Sequence, residues 1–388
     1  VHLDGSLRLS TILELAEQQK IKLPGDPQTE EALGELIQVG AVHESLEAYL
    51  KGFDITLMVL QTEEALYRAA FELGEDAARE HVKYMEVRYS PILHTRQGLS
   101  FPVIVEAVAE GLRAAKRRYG LMSGQILCGI RHMEPEPSLR LAELCVAFKN
   151  KGVVAFDLAG AEADNPPKRY QDSFTLIRQN NVNLTIHAGE AYGPESIHQA
   201  IHTCGAHRIG HGTRLREHGD LLNYFNDHRI PLEICLTRNI QTRAAESFAS
   251  HPLPFYLSYG LRCTINTDNR LITDTTMTQE FWTAVEHYDL NIGDLRKLMI
   301  NGFKSAFMPY RKLTTVTEQA ANEFDALVRA FEERSGMRAV TNPRVAAQIA
   351  SQLSSADSRK PMTQPEELID QPMGGAQPNE ERDDDPTP

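Results

Sequence analysis

Histidine and aspartate side chains stand at the ends of short apolar segments in this 388-residue chain. His187 follows residues 182–186, Asp268 comes after residues 261–265, and His2 lies at the start of the sequence. A strand that is apolar along its length and ends in such a group delivers that group to one rim of a parallel sheet. Imidazoles and a carboxylate that meet there are suitable ligands for zinc or another divalent metal. The pattern therefore predicts a metal site on a barrel rim.

Strand-like and helix-period segments alternate between about residues 82 and 266, which predicts a parallel sheet with helices outside it. Eight strands are predicted, at residues 1–3, 82–89, 124–131, 153–158, 182–187, 207–211, 231–236 and 261–266. The helices between them are predicted at residues 101–119, 138–149, 172–180, 194–203 and 215–228. Eight parallel strands with outer helices close into a (β/α)₈ TIM barrel, an α/β fold.

Two regions extend this barrel. Residues 6–81 are too many for one crossover and predict a helical insertion after the first strand, with helices at 46–58 and 63–80. Extra C-terminal helices are predicted at 277–287, 291–307, 316–333 and 343–353, so residues 1–353 are interpreted as one barrel domain. Residues 354–388 contain almost no aliphatic side chains and many Pro, Gln, Glu and Asp, which predicts an acidic, disordered tail.

Charge and cysteine content restrict the partners and the compartment. The formal net charge of −13 argues against nucleic acid or an anionic membrane as a partner, because phosphate binding requires a surface rich in Lys and Arg. No run of about 18 apolar residues is present, which excludes a spanning helix. Five scattered cysteines, never two residues apart, indicate reduced thiols in a cytoplasmic protein.

Six short motifs occur in a fixed order along the chain. They are His2-Leu3-Asp4-Gly5-Ser6, Glu86-Val87-Arg88-Tyr89-Ser90-Pro91, Asp157-Leu158-Ala159-Gly160, His187-Ala188-Gly189-Glu190, Gly210-His211-Gly212 and Asn266-Thr267-Asp268. Together they resemble the signature of the adenosine deaminase family, over residues 1 to about 307. The resemblance implies a hydrolase of purine salvage that converts adenosine and 2′-deoxyadenosine to inosine and deoxyinosine with release of ammonia.

The resemblance also implies one zinc ion per chain. Its ligands would be His2, His187, Asp268 and the first His of a His-x-His pair that would lie just before Val1, outside the printed sequence. With three of these four ligands, metal is expected to bind more weakly.

Two further residues receive catalytic roles from the same resemblance. Glu190 corresponds to the acid that protonates the purine N1, and His211 to the residue that orients the attacking water and takes its proton. Burial against apolar neighbours would raise the pKa of Glu190 so that it holds a proton near pH 7. Glu233, on the seventh predicted strand, is expected to orient His211 as a hydrogen-bond partner. Other histidines, including His251, are interpreted as structural or surface residues.

Purine contacts are carried over in the same way. The Gly160 backbone N–H resembles the donor to the ring N3, and Asp4 and His2 lie where the family meets the ribose 5′-hydroxyl. Asn269 stands where the more familiar pattern has a second Asp facing N7. The Asp-Asn-Arg-Leu form resembles a bacterial branch of the family. Since an amide donates without first being protonated, we expect purine recognition to survive with a changed pH profile or changed tolerance of 7-deaza analogues.

An apolar stripe precedes the second predicted strand. Leu46, Tyr49, Leu50 and Phe53 share one helical face, which is typical of an ordinary core stripe. Resemblance to the family's mouth helix indicates instead an apolar gate over the pocket. Both interpretations stay open.

Other functions are compatible with parts of this pattern. The substrate could be adenine or a 5′-modified adenosine such as aminodeoxyfutalosine, whereas AMP is disfavoured because no basic cluster is evident near the predicted mouth. A two-metal amidohydrolase or phosphoesterase would more often use a strand-end Lys, which the metal motifs lack. A catalytically dead relative is disfavoured by Glu190, His211 and Asp268 together. The cytidine-deaminase type of zinc enzyme is excluded, since no Cys-x-x-Cys pair exists.

Overall fold

The computed structural model of the chain describes residues 1–38, 49–50 and 52–336. Seven parallel strands form one sheet in which each strand pairs with the next one along the chain. They are β1 Tyr84–Tyr89, β2 Met122–Ile130, β3 Val153–Ala159, β4 Asn183–Ala188, β5 Arg208–His211, β6 Leu232–Ile234 and β7 Cys263–Ile265. Each corresponds to one of the last seven predicted strands.

The start of the chain joins the two ends of this sheet. Arg88 of β1 donates its N–H to the Val1 carbonyl over 2.8 Å and accepts from the Leu3 N–H over 2.9 Å. On the other side, the His2 N–H donates to the carbonyl of Asp268, just after β7, over 2.6 Å. Residues 1–3 form only an isolated bridge between His2 and Arg88, so the prediction of a regular strand there is wrong. The segment nevertheless takes the eighth position and closes the barrel.

Helices cover the outside of the sheet. Among the described residues before β1, the helices are Leu9–Gln19, Glu30–Ile37, Phe53–Val59 and Glu63–Arg79, which agrees with a helical insertion. Those between strands include Phe101–Tyr119, Pro135–Phe148, Gln171–Gln179, Pro194–His198, Gly219–Asp227, Leu236–Gln241 and Leu253–Tyr259. Met277–His287, Ile292–Ser305 and Tyr310–Ser335 follow β7. The helices Leu236–Gln241 and Leu253–Tyr259 are not among the predicted ones.

Local sequence explains where these helices begin and end. Phe101–Tyr119 has a proline in its first turn, three basic residues in its last turn and Gly120 in a left-handed conformation beyond it. Met277–His287 is capped at its start by Thr276, whose side chain accepts a hydrogen bond from the Gln279 N–H. Such caps fix where each of these helices begins and ends.

The described residues belong to one compact unit, Val1–Arg344. The helix predicted at 343–353 and the tail predicted at 354–388 lie outside the described residues. Within the described ranges, no helix is both long enough and apolar enough to cross a membrane. All five cysteines are buried free thiols.

Candidate active site and metal centre

Three predicted metal ligands meet at the carboxyl ends of the strands. The Nε2 atoms of His2 and His187 lie 3.3 Å apart, and Asp268 Oδ1 lies 3.2 Å from His2 Nε2. One candidate ligand atom from each of the three residues lies within 4.8 Å of the other two. His187 and Asp268 are each only 5% exposed. The site is therefore a buried set of two imidazole nitrogens and one carboxylate oxygen.

Left-handed backbone conformations occur at the strand ends that carry the site residues. His211, at the end of β5, has φ 65°, and Asp268, just after β7, has φ 56°. Non-glycine residues rarely adopt positive φ, and each such residue costs roughly 1–3 kcal/mol that the surrounding structure must offset. The chain also turns at Gly189, with φ 70°, directly after β4. The chain thus turns sharply at the ends of β4, β5 and β7, all on the side of the sheet that carries the site.

His187 is oriented by a second buried residue. Its Nδ1 lies 3.0 Å from Oδ2 of Asp157, so Nε2 is left facing the other ligands. Arg88 Nη1 donates to the same Asp157 oxygen over 3.1 Å. Burial alone would raise the pKa of Asp157, but His187 and Arg88 hold it well below its usual range. A carboxylate that braces a metal-binding imidazole in this way fixes its tautomer and strengthens it as a ligand.

The two oxygens of Asp268 have separate partners. Oδ2 lies 2.5 Å from Arg238 Nη1 and accepts from the Asn269 side-chain amide over 2.9 Å. Oδ1 faces His2. The carboxylate is therefore oriented to offer one oxygen to a metal. Arg238 itself is 4% exposed and stacks its guanidinium 4.4 Å above the Tyr49 ring.

Glu190 and His211 face each other beside the ligand set, with 3.5 Å between Glu190 Oε2 and His211 Nε2. Arg238 Nε also lies 3.0 Å from Glu190 Oε1. Burial would raise the pKa of Glu190, but Arg238 and His211 lower it to about 2. The expectation that apolar neighbours keep Glu190 protonated near pH 7 is therefore wrong in this structure, because a buried guanidinium lies against the carboxylate.

The turn that carries Glu190 is held by another carboxylate. Glu162, 4% exposed, accepts hydrogen bonds from four successive backbone N–H groups. The donors are those of Gly189, Glu190, Ala191 and Tyr192. Consecutive N–H groups that converge on one anion form a nest, which fixes the local backbone.

Glu233 does not have the role expected from the sequence. Its Oε2 accepts from Arg88 Nη2 over 2.5 Å, and its Oε1 lies 2.6 Å from Arg208 Nε. The contact to His211 Nδ1 comes instead from the Asn239 side-chain amide, at 3.1 Å. Glu233 is thus part of an ion-pair network inside the barrel, and the interpretation as a partner of His211 is corrected. Burial alone would raise the pKa of Glu233, but Arg88 and Arg208 together hold that pKa well below its usual range.

The predicted substrate-binding residues Asp4, Gly160 and Asn269 lie near the start of the chain, directly after β3 and next to Asp268. Asp4 is 5% exposed, and within the described residues its Oδ1 has no hydrogen-bond partner. Burial raises the pKa of Asp4 to about 7 despite hydrogen bonds from the backbone. Gly160 follows β3 in a left-handed conformation, with φ 98°. Gly5 packs so closely on Asn269 that a Cβ at position 5 would lie 2.0 Å from Asn269 Oδ1.

Only part of the apolar stripe can be placed. Leu46 lies outside the described residues, and Leu50 and Phe53 are half-buried. The Tyr49 ring is fully buried, and its hydroxyl lies 2.7 Å from Thr273 Oγ1. This packing is what a core residue shows, and it brings Tyr49 against Arg238.

No sequence motif marks Arg238, Asn239 or Glu162, although Arg238 and Asn239 closely follow the predicted strand 231–236. A charged or amide side chain so close to the end of a strand indicates a position on the rim of the barrel, where the site lies. Asp157 belongs to one of the six motifs, but its contact with His187 depends on the pairing of two strands.

The donor set fits zinc, which proteins bind through imidazole nitrogens and carboxylate oxygens in catalytic sites. His187 and Asp268 each have a partner that orients them, as metal ligands usually do. An imidazole and a carboxylate beside such a set can position a water molecule and move a proton. The fold and the site thus have the features of a metal-dependent hydrolase on a TIM barrel.

Comparisons with known proteins specify the family. A sequence model of the adenosine deaminase family matches residues 1–322. The adenosine deaminase of Mycobacterium marinum is 41% identical over 345 residues, which cover 84% of this chain and 94% of that protein. Adenosine deaminase 1 of Streptomyces coelicolor is 43% identical over 327 residues, which cover 80% of this chain and 81% of that protein. The chain belongs to the adenosine deaminase family.

Solved structures agree on the fold. The adenine deaminase of Arthrobacter aurescens superposes with a TM-score of 0.78 at 25% identity, covering 84% of this chain and 97% of that one. The N6-methyl-AMP deaminase of Arabidopsis thaliana has a TM-score of 0.72 at 27% identity, covering 83% of this chain and 96% of that one. The predictions of the family and of the TIM-barrel fold are confirmed.

Proposed function

We propose that the chain hydrolyses adenosine and 2′-deoxyadenosine, with water, to inosine and 2′-deoxyinosine plus ammonia. The observation that carries the proposal is that His2, His187 and Asp268 converge beside Glu190 and His211. Identity of 41–43% with bacterial adenosine deaminases supports the nucleoside as substrate. The five buried thiols support a cytoplasmic location.

One zinc ion per chain would be held by His2, His187 and Asp268. When bound, zinc lowers the pKa of water to about 7 and so supplies a nucleophile at neutral pH. Asp157 keeps His187 Nε2 directed at the site, and Arg238 keeps one oxygen of Asp268 free for it. These two residues therefore prepare the ligand set.

The remaining groups act on the substrate. Glu190 is positioned for the purine N1, since protonation there makes C6 electrophilic, and His211 is positioned beside the attacking water. The Gly160 N–H would donate to N3, and the Asn269 amide would donate to N7 with its second hydrogen. Asp4, with a pKa near 7 and a free carboxyl oxygen among the described residues, suits a ribose hydroxyl, which both donates and accepts.

Adenine is the second candidate substrate. The fold similarity to an adenine deaminase, with a TM-score of 0.78, favours it, whereas the higher sequence identity favours the nucleoside. The proposed contact between Asp4 and the ribose would distinguish adenosine from adenine, because free adenine has no ribose to bind there.

The test is a substrate panel. The zinc-loaded protein is incubated with adenosine, 2′-deoxyadenosine, adenine, AMP and N6-methyl-AMP, and ammonia release is measured together with ultraviolet absorbance. We expect the largest kcat/KM for the two nucleosides, and no turnover by His187→Ala. A larger kcat/KM for adenine would support the second candidate. No ammonia from any compound would reject deamination.

A further inference from the structure

A chain of hydrogen bonds connects His211 to a backbone N–H. The Leu253 N–H donates to His251 Nδ1 over 3.1 Å, and His251 Nε2 lies 3.2 Å from Asn239 Oδ1. Asn239 Nδ2 in turn lies 3.1 Å from His211 Nδ1. All three side chains are buried, with exposures of 3% for His251, 0% for Asn239 and 1% for His211.

The backbone N–H determines every proton position along this chain. Because a main-chain N–H is always a donor, His251 Nδ1 is the acceptor and carries no proton. The one proton of the neutral His251 ring is then on Nε2, which donates to Asn239 Oδ1. If the Asn239 amide were reversed, its NH₂ group would face the Nε2–H of His251, and two donors would oppose each other. Burial lowers the pKa of His251 to about 3, which keeps its ring neutral.

The same argument continues to His211. With its oxygen used by His251, Asn239 presents its NH₂ group to His211, so His211 Nδ1 must accept. The proton of the neutral His211 ring therefore lies on Nε2. That nitrogen points into the site, 3.5 Å from Glu190 Oε2, and within the described residues it has no hydrogen-bond partner.

We propose that Asn239 and His251 are positioning residues that hold His211 in its Nε2–H tautomer, so that His211 donates a hydrogen bond to the attacking oxygen. This rests on the proposed deamination and refines one step of it. A ring whose Nδ1 accepts from an amide and whose Nε2 already carries a proton has no free lone pair. The proton that the water loses therefore needs another acceptor, and the Glu190 carboxylate beside Nε2 is available.

The direct test is spectroscopic. In zinc-loaded protein with ¹⁵N-labelled histidine, the chemical shifts of the ring nitrogens distinguish protonated from unprotonated nitrogen. His211 is assigned by its loss in His211→Gln. We expect Nε2 to be protonated and Nδ1 unprotonated at pH 7. A protonated Nδ1 on His211 would overturn the proposal.

Asn239→Asp reverses the tautomer without changing the shape of the side chain. A carboxylate can only accept, so it still accepts from His251 Nε2 but requires a proton on His211 Nδ1. We expect the ¹⁵N pattern of His211 to invert and kcat for adenosine to fall by about 10²- to 10⁴-fold, as for a catalytic histidine held in the wrong tautomer. KM should change little. The matched control is Asn223→Asp, an exposed amide that contacts Tyr259.

A second pair of variants addresses His251. His251→Gln keeps a donor that can reach Asn239, whereas His251→Phe removes it. We expect the glutamine variant to retain the His211 tautomer and more of kcat than the phenylalanine variant. If kcat falls equally in the two His251 variants while the ¹⁵N pattern of His211 stays unchanged, His251 has a merely structural role.

The outcomes separate the two proposals. If the wild-type protein releases no ammonia from adenosine, the proposed function fails, while the ¹⁵N pattern still tests the tautomer. If the wild-type protein is active and Asn239→Asp is equally active despite an inverted pattern, the deamination stands and the role of the tautomer is refuted.

Discussion

Arg238 binds Asp268 and Glu190 with one guanidinium group. Its Nη1 lies 2.5 Å from Asp268 Oδ2 and its Nε lies 3.0 Å from Glu190 Oε1. Two carboxylates and a cation share a space from which water is nearly excluded, since each side chain is at most 5% exposed. The guanidinium thus links the proposed metal ligand Asp268 to Glu190, the residue proposed to face the purine N1, and it accounts for the low pKa of Glu190.

Arg238→Gln should destabilise the protein strongly, because two buried carboxylates lose their cation. Removing one partner of a buried ion pair costs about 3–5 kcal/mol in the free energy of unfolding. Urea unfolding of the zinc-loaded protein measures it. The control is Arg214→Gln, whose exposed pair with Glu217 should contribute less than about 1 kcal/mol. Similar small losses in the two variants would contradict this view of Arg238.

Asp157→Asn should weaken zinc binding, because an amide cannot replace the carboxylate that fixes His187. Loss of such a partner typically lowers metal affinity by about 10- to 100-fold. Competition with a fluorescent chelator measures the dissociation constant. Asp325→Asn, which removes an exposed partner of Arg296, serves as the control and should leave zinc affinity unchanged. Unchanged affinity in Asp157→Asn would show that His187 is held by other contacts.

Glu233→Gln should reduce stability in a pH-dependent way. The folded protein holds the pKa of Glu233 below its unfolded value, so its ion pairs stabilise the fold fully above about pH 4.3. This contribution is lost as the pH falls through the folded-state pKa. At pH 7 the variant should lose about 3 kcal/mol in the free energy of unfolding.

The difference in the free energy of unfolding between wild type and Glu233→Gln should then become smaller as the pH decreases below about 4. Urea titrations at several pH values measure it. A gap that widens on acidification would mean that Glu233 is protonated in the folded protein near neutral pH.

Asn269→Asp tests purine recognition. The Asn269 amide donates to Asp268 Oδ2 over 2.9 Å, and a carboxyl group there can donate only when protonated. The variant should therefore lose kcat/KM for adenosine as the pH rises and the carboxyl group loses its proton, by up to about tenfold for the lost hydrogen bond to the neutral N7. Discrimination against 7-deazaadenosine should change with it. If the pH profile and the discrimination both match the wild type, Asn269 does not contact N7.

The barrel could be predicted because its signals are local. Apolar segments such as β4 and β5 end in His187 and His211, and the parallel order of the strands then brings these ends to one rim. The first strand was the exception, because residues 1–3 make only one bridge although they complete the closure.

The partners of the site residues could not be predicted, because each depends on contacts distant in sequence. Glu233 has the spacing of a rim residue, yet its carboxylate meets Arg88 and Arg208 from other strands. His251 has no motif, and its contact with Asn239 exists only once the helix Leu236–Gln241 packs beside it. The same is true of Arg238, whose charge reverses the expected pKa of Glu190.

A zinc titration of adenosine turnover tests the central claim most directly. The protein is freed of metal with a chelator, zinc is added back in steps, and the rate of inosine formation is followed at each step. We predict no turnover without metal and a rise with added zinc that saturates, with one zinc bound per chain at the plateau. Full turnover in the metal-free protein, or none at any zinc level, would contradict a single-zinc adenosine deaminase.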